Sequence, residues 1–228
     1  MSSPRFTPEL FSFLNDLADN NERIWFNENK ERYEQAVKEP ALEFIEQFRP
    51  RLLGISPHFS ANARAVGGSL FRIHRDTRFG TDKTPYKLNT GVHFRHERAK
   101  DAHAPGFYLH LQPRASFMAM GLWNPEPKVA YQIRHHIGDE RAQWSKITTA
   151  KPFVDQFSFG GDSLVRPPKG FDKDDPLLLD LKRKSFMITT PLTQGEITKK
   201  DFIDRFEERC RVGTDFVSFL CTAVGVAF

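Results

Sequence analysis

The chain has 228 residues, 39% of them hydrophobic and 27% charged, and its 33 Lys and Arg against 29 Asp and Glu leave a net charge of +4. That length and balance suit a soluble globular protein able to bury a sizeable core, and they permit an acidic partner without giving the broad basic face of a protein that coats nucleic acid. The longest apolar run, Val217 to Phe228, spans 12 residues and contains Ser and Thr, which falls short of the about 20 residues a membrane span needs.

Met1 to Leu10 holds no apolar stretch of the kind a signal peptide carries, so a cytoplasmic location is expected. No repeat, low-complexity tract or linker interrupts the sequence, and residues 1–228 read as one domain.

The first block, about 7–54, reads as helical. Thr7 can cap a helix that has Pro8 at its first position and Glu9 beside it. Leu10, Phe13, Leu14 and Leu17 then recur at three and four and form one apolar stripe. Asn20 and Asn21 break that helix and can cap a second one through Trp25, Phe26, Tyr33 and Val37. Pro40 ends the second helix or starts a third, whose buried face is Ala41, Ile45, Phe48 and Leu52.

The second block, about 62–123, reads as strands. Val92 and Phe94 alternate with His93 and Arg95, and Phe107, Leu109 and Leu111 alternate with Tyr108, His110 and Gln112. Pro113-Arg114 makes a tight turn into Ser116–Trp123. Connections this short hold no crossover helices, so the sheet should be mostly antiparallel.

The third block, about 125–228, returns to helix. Pro127 opens one bearing Ala130, Ile133 and Ile137. Trp144 and Ile147 mark the next, and Phe153 and Phe157 stack at i,i+4 after Pro152. Asp175-Pro176 starts a short helix on Leu178 and Leu181. Ser185–Thr190 reads as a strand. Thr198-Lys199-Lys200-Asp201 resembles a capping box ahead of Phe202, Phe206 and Cys210, and Thr214 caps a last helix through Phe216, Phe219, Leu220 and Ala223. The two cysteines, Cys210 and Cys221, form no C-x-x-C and read as small hydrophobes in a reducing compartment. With 22 Phe and four Met, aromatic rings should dominate the core. Helices, a meander and more helices give an α+β class: a mostly antiparallel sheet covered on one face by helices from the N- and C-terminal thirds.

Charge is not spread evenly. The seventeen residues from Phe71 to Lys87 hold five Lys and Arg and two Asp, a net of +3, so the remaining 211 residues carry only +1. Guanidinium forks and ammonium heads in such density hold phosphates and carboxylates. The candidate ligand-binding residues are Arg72, Arg75, Asp76, Arg78, Asp82, Lys83, Tyr86 and Lys87. The cations would hold the anion, Asp76 and Asp82 would orient them, and Tyr86 would donate a hydrogen bond. This reading expects a pocket lined by at least three of those side chains. The competing reading is an ion-pair network that pins a long loop to the sheet, and the two are compatible.

Other signatures compete with this one. His74-Arg75-Asp76 spells the start of a kinase catalytic loop, but Thr81 stands where that motif needs Asn, and no glycine-rich loop or Asp-Phe-Gly accompanies it. His93, His96, His103 and His110, with Glu97 and Asp101 between them, suggest a metal. However, His93 and His96 are three apart on a strand and point to opposite faces, and adjacent His135 and His136 on a helix cannot chelate together. No metal and no cofactor is expected. The Pro-rich loop from Arg166 to Pro176 is either a surface connector or a lid carrying Arg166 and Lys169. Gly67-Gly68 makes no phosphate fingerprint, and G-x-x-x-x-G-K-[ST] and G-x-S-x-G are absent.

Three groups of residues resemble one family. The first is Phe13-Leu14, Leu17, Asn20-Asn21, Trp25-Phe26, Asn29-Lys30 and Tyr33-Glu34. The second is Arg75-Asp76-Thr77-Arg78-Phe79, Asp82-Lys83 and Pro85-Tyr86-Lys87. The third is Pro167, Lys169-Gly170-Phe171-Asp172, Pro176, Leu181 and Lys184-Ser185-Phe186. Together they resemble the family called domain of unknown function 2461, over almost the whole chain. The resemblance implies no particular activity and transfers no catalytic assignment; Gly80 departs from it, standing where Ser is expected.

The sequence therefore points first to a small phosphate- or carboxylate-bearing ligand in a basic cleft formed by residues 72–87. A second reading is a non-catalytic module that uses the same patch on nucleic acid or an acidic protein. A third is an enzyme with Asp76 as base, although nothing pairs it with a nucleophile.

Overall fold

The computed structural model describes residues 6–78, 81–98 and 104–228. Phe79 and Gly80 of the basic segment, and Asp101 and His103 of the histidine-rich hairpin, lie outside the described residues.

Pro8 and Glu9 open α1 (Pro8–Asp19), which buries Leu10, Phe13, Leu14 and Leu17 together with Phe11. α2 (Arg23–Glu28), α3 (Lys30–Tyr33), a π turn (Glu34–Lys38) and α4 (Glu39–Leu53) follow. Neither expected asparagine caps α2: Glu22 holds the cap position, Asn20 donates back to the Asp16 carbonyl, and Asn21 reaches a distant segment. Pro40 does begin α4, but without a break, since Tyr33, Lys38 and Glu39 all keep helical dihedrals. The π turn ends one residue short of Pro40, which has no N–H to give, and so adjusts the helix where that bond is missing. Ala41, Ile45, Phe48 and Leu52 are buried along α4 with Phe44.

The strands are β1 (Phe59–Ser60), β2 (Thr90–His96), β3 (Gly106–Leu111) and β4 (Phe117–Leu122). After them come α5 (Pro127–Asp139), α6 (Arg141–Thr148), α7 (Lys151–Gln156), β5 (Ser158–Phe159), α8 (Leu178–Leu181), β6 (Phe186–Pro191), α9 (Gln194–Ile197), α10 (Phe202–Val212) and α11 (Thr214–Ala223). The strands form one sheet in the order β1-β2-β3-β4-β6-β5, antiparallel at every pairing. The class is α+β, as the alternation of blocks implies. Among the described residues no helix is long and apolar enough to cross a membrane.

Period-two alternation gives the sheet two different faces. Val92 pairs with Leu109 and Phe94 with Phe107; Met118, Met120, Phe186 and Ile188 continue this buried face. Phe48 of α4 lies 4.9 Å from Phe94 and 5.0 Å from Phe206 of α10. Trp144 of α6 lies 5.2 Å from Phe219 of α11. One buried core thus runs from Phe6 to Cys221, with Phe its most frequent residue. The other face carries His93, Tyr108, Ala119 and Thr189 in one lateral row and Arg95, Gly106, Gly121 and Met187 in the next.

Local details differ from the sequence reading in the last third. Asp201, not Thr198, occupies the cap of α10, and no side chain caps it; the Thr198 hydroxyl donates to the Gln194 carbonyl instead. Thr214 is the first residue of α11 and donates to the Cys210 carbonyl. Phe153 and Phe157 meet edge to face, at 61°. The strands β1 and β5 and the helix α9 are too short for periodicity to reveal.

Candidate functional site

The basic segment leaves the sheet edge as a two-stranded ribbon. Residues 69–71 pair with β2 beside β1, through Phe71 N–H to the Gly91 carbonyl and His93 N–H to the Ser69 carbonyl. Beyond that point Arg75 N–H donates to Pro85 and Lys87 N–H to Ile73, at 2.9 and 2.8 Å, and His74 bridges to Tyr86. Ile73 and Tyr86 are buried. The Tyr86 ring stacks on Phe26 of α2, centroids 4.0 Å apart, and the Asn21 side chain bonds both the N–H and the carbonyl of Tyr86. Tyr86, expected to donate to a ligand, is placed as the peg that fixes the ribbon to the N-terminal helices.

The eight candidate residues do not converge on one point. Arg78 forks onto Asp76 at 2.9 and 2.7 Å, and that bond holds the Asp76 carboxyl below its ordinary range. Arg75 pairs with Asp82 and bonds the Thr84 hydroxyl at 2.7 Å. The Thr84 N–H and hydroxyl, followed by Arg75, bring the Asp82 carboxyl down to about 2. Lys83 donates to the Thr77 carbonyl and Lys87 to the Arg72 carbonyl, at 2.8 and 3.1 Å. Much of the positive charge thus also pins the ribbon, supplying partners that an irregular backbone lacks.

The ribbon nevertheless walls two recesses. Asp76, Lys87 and Arg75 border a shallow groove with Leu88 and Asn89. On the side facing α2, a hollow of 590 Å³ is lined by Arg75, Lys83 and Tyr86, by His74 and Thr77, and by Asn21, Glu22, Arg23 and Asn27. Three cations line it with one carboxylate, Glu22, and Arg75 is also paired with Asp82. Both described bonds of the Arg75 guanidinium come from a single terminal nitrogen, leaving its other terminal nitrogen and Nε for a planar anion. Arg23 and Asn27 were not evident from sequence. The signal lay beside Asn20-Asn21, whose local pattern reads as a helix break and cap because the contact with residue 86 is long-range.

Other candidates fall elsewhere. His93 faces the open side of the sheet, whereas His96 is buried and bonds the Ala227 carbonyl at 2.9 Å. Among the described residues no three His, Cys, Asp or Glu side chains cluster as metal ligands would. The Pro-rich loop is tied to α5 and α6 by Phe171 against His135 and by Arg141 forking onto Asp175 at 2.8 and 2.6 Å; Arg166 and Lys169 do not line the hollow. Cys210 and Cys221 are buried thiols, and burial pushes the latter up to about 12.

A family described as "Conserved hypothetical protein (DUF2461)" matches residues 9–219. No curated protein and no solved structure matches the chain.

Proposed function

The chain belongs to that family, and we propose that it binds a small phosphate- or carboxylate-bearing molecule in the hollow between α2 and the 74–86 ribbon. The observation that carries this reading is the grouping of Arg23, Arg75 and Lys83 in one hollow, against Glu22 and the Asp82 carboxylate that holds Arg75, on a ribbon fixed by Tyr86, Phe26 and Asn21. A guanidinium already oriented by Asp82 and Thr84 loses little freedom when it meets an anion, so more of the interaction is kept as affinity.

The reading involves no chemical step. Asp76 is held on both oxygens by Arg78, and a carboxyl kept below its ordinary range is a weaker base. A nucleic-acid module would draw on many phosphate contacts and lose affinity steeply with salt, whereas a single-anion site loses little.

Titration of the protein with inorganic phosphate, followed by melting temperature and calorimetry, tests the proposal. Stabilisation by phosphate, weakened about tenfold or more in Arg75→Met and in Lys83→Met, is the expected result. Equal phosphate response in both variants and the parent overturns it. A gel shift with single-stranded RNA that vanishes over a few-fold rise in salt moves the assignment to the nucleic-acid module.

A further inference from the structure

We infer that the open face of the sheet carries a second binding site, a bowl that takes a flat aromatic molecule bearing an anionic group. The outward face of an antiparallel sheet is usually polar and level. Here the side chains are graded in size. Gly106 pairs with Gly121, and Ala119 stands beside them, forming a floor with almost no side chain. Phe71, Tyr108, Phe117 and Trp123 rise around it and enclose 460 Å³, within the range of small-molecule sites.

The floor is built into the backbone. A Cβ at Gly106 would collide with His93 Nε2, and Gly121 has φ +113°, where a Cβ would meet the Phe186 carbonyl. L-residues with side chains avoid such dihedrals, so the depression is not a gap a larger residue fills at no cost. Phe71 and Phe117 each lie about 6 Å from Tyr108, at 5.9 and 6.0 Å, and Trp123, 71% exposed, forms the lip. Ring faces arranged round an apolar floor suit a flat aromatic body.

The polar groups specify the rest. Arg95 pairs with Gly106 across β2 and β3, at the edge of the floor. Its guanidinium and the Lys87 ammonium lie 5.5 and 5.6 Å from the Phe71 ring, and neither has a carboxylate partner among the described residues. An anionic substituent on the ligand meets them there. Arg95 Nε–H donates to His93 Nδ1, so the neutral imidazole carries its proton on Nε2, above Gly106. His110 Nε2 donates to Gln112 Oε1, and its Nδ1 therefore accepts from Tyr108. The wall thus offers one donor, His93, and one acceptor, the Tyr108 oxygen.

The test uses the full chain and two probes: anilinonaphthalene sulfonate, which joins a flat naphthalene ring to an anionic group, and phenylnaphthylamine, its uncharged counterpart. Saturable one-to-one binding of the sulfonate is expected, with a change in Trp123 emission that is lost in Trp123→Phe. Ala119→Phe, which fills the floor, should weaken both probes about tenfold or more, and Arg95→Gln the sulfonate alone by about tenfold. Inorganic phosphate at concentrations that fill the hollow should not displace the dye. Should Ala119→Phe lower the melting temperature, Trp123→Ala removes an exposed wall without touching the core and must itself weaken binding. Non-saturating dye uptake, unchanged affinity in folded variants, or a dimer whose dissociation is needed for dye to bind overturns the inference.

Discussion

The Asn21 carboxamide grips the backbone of Tyr86 like a strand partner: its Oδ1 accepts the Tyr86 N–H at 3.1 Å and its Nδ2 donates to the Tyr86 carbonyl at 3.0 Å. Sixty-five residues separate them. The contact makes the N-terminal helices a support for the basic ribbon, adding to the two backbone hydrogen bonds that join its two sides among the described residues.

Asn21→Ala should therefore cost about 1–3 kcal/mol, the penalty for leaving a partly buried N–H and carbonyl without partners. Asn21→Asp should cost at least as much, because a carboxylate oxygen then faces the Tyr86 carbonyl. Urea denaturation measures the loss. Amide exchange should show the ribbon amides of Arg75 and Lys87 opening before the sheet.

Asp82 competes with any ligand for Arg75. Asp82→Asn keeps an Oδ1 for the Thr84 N–H and hydroxyl and so preserves the turn, but removes the charge that neutralises the guanidinium. Phosphate affinity should rise about tenfold. Asp76→Asn is the control, since Arg78 does not line the hollow, and it should leave calorimetric phosphate affinity unchanged at high salt.

His93 sets a pH dependence. Burial, with Arg95 adding to it, lowers its folded value to about 4, against about 6.5 in the unfolded chain. Between those values the unfolded state holds the extra proton, so stability falls as pH drops from about 6.5 to about 4. The loss totals up to about 3 kcal/mol at roughly 1.4 kcal/mol per pH unit. Burial lowers His110 as well, in the same direction. Asp82 acts lower down: its depressed carboxyl contributes stability that is lost only as pH falls below the ordinary carboxylate range toward about 2. His93→Gln retains an acceptor for Arg95 and should flatten the slope of urea midpoint between pH 7 and pH 5; an unchanged slope would place the titration elsewhere.

What could be read from sequence followed the range of the interaction concerned. The stripe Leu10, Phe13, Leu14 and Leu17 and the alternation in β2 and β3 are set by neighbours a few residues away, so periodicity exposed them. The density of charge between Arg72 and Lys87 was visible, but not its division between a tip where Arg78 meets Asp76 and a hollow shared with Arg23, because that depends on Asn21 and Phe26 docking against Tyr86. The bowl was not read from the sequence. Tyr108 and His110 on the outward side of β3, with Gly106 and Gly121 nearby, are unusual for a solvated face. Only the register that sets Gly106 against Gly121 turns them into a floor and a wall.

The helix caps near Thr198 give a last discriminating case. Thr193-Gln194-Gly195-Glu196 and Thr198-Lys199-Lys200-Asp201 both fit a hydroxyl followed three residues later by a carboxylate, and local pattern cannot choose between them. The sheet chooses. Leu192 N–H still donates to the Ser116 carbonyl beside β4, so the chain reaches Thr193 in extended conformation, φ −85° and ψ 152°, and its side-chain oxygen accepts the Glu196 N–H. By Thr198 the chain is already turning, and its hydroxyl merely returns to the Gln194 carbonyl four residues back. Thr193→Ala should accordingly cost about 1 kcal/mol, the usual value of an N-cap, with faster exchange at the Glu196 amide. Thr198→Ala should stay within about 0.5 kcal/mol of the parent, because the Gln194 carbonyl that its hydroxyl meets still accepts the residue's own N–H. Chemical denaturation of the two variants separates the assignments, and a larger loss in Thr198→Ala would show that the capping hydroxyl is the one at position 198.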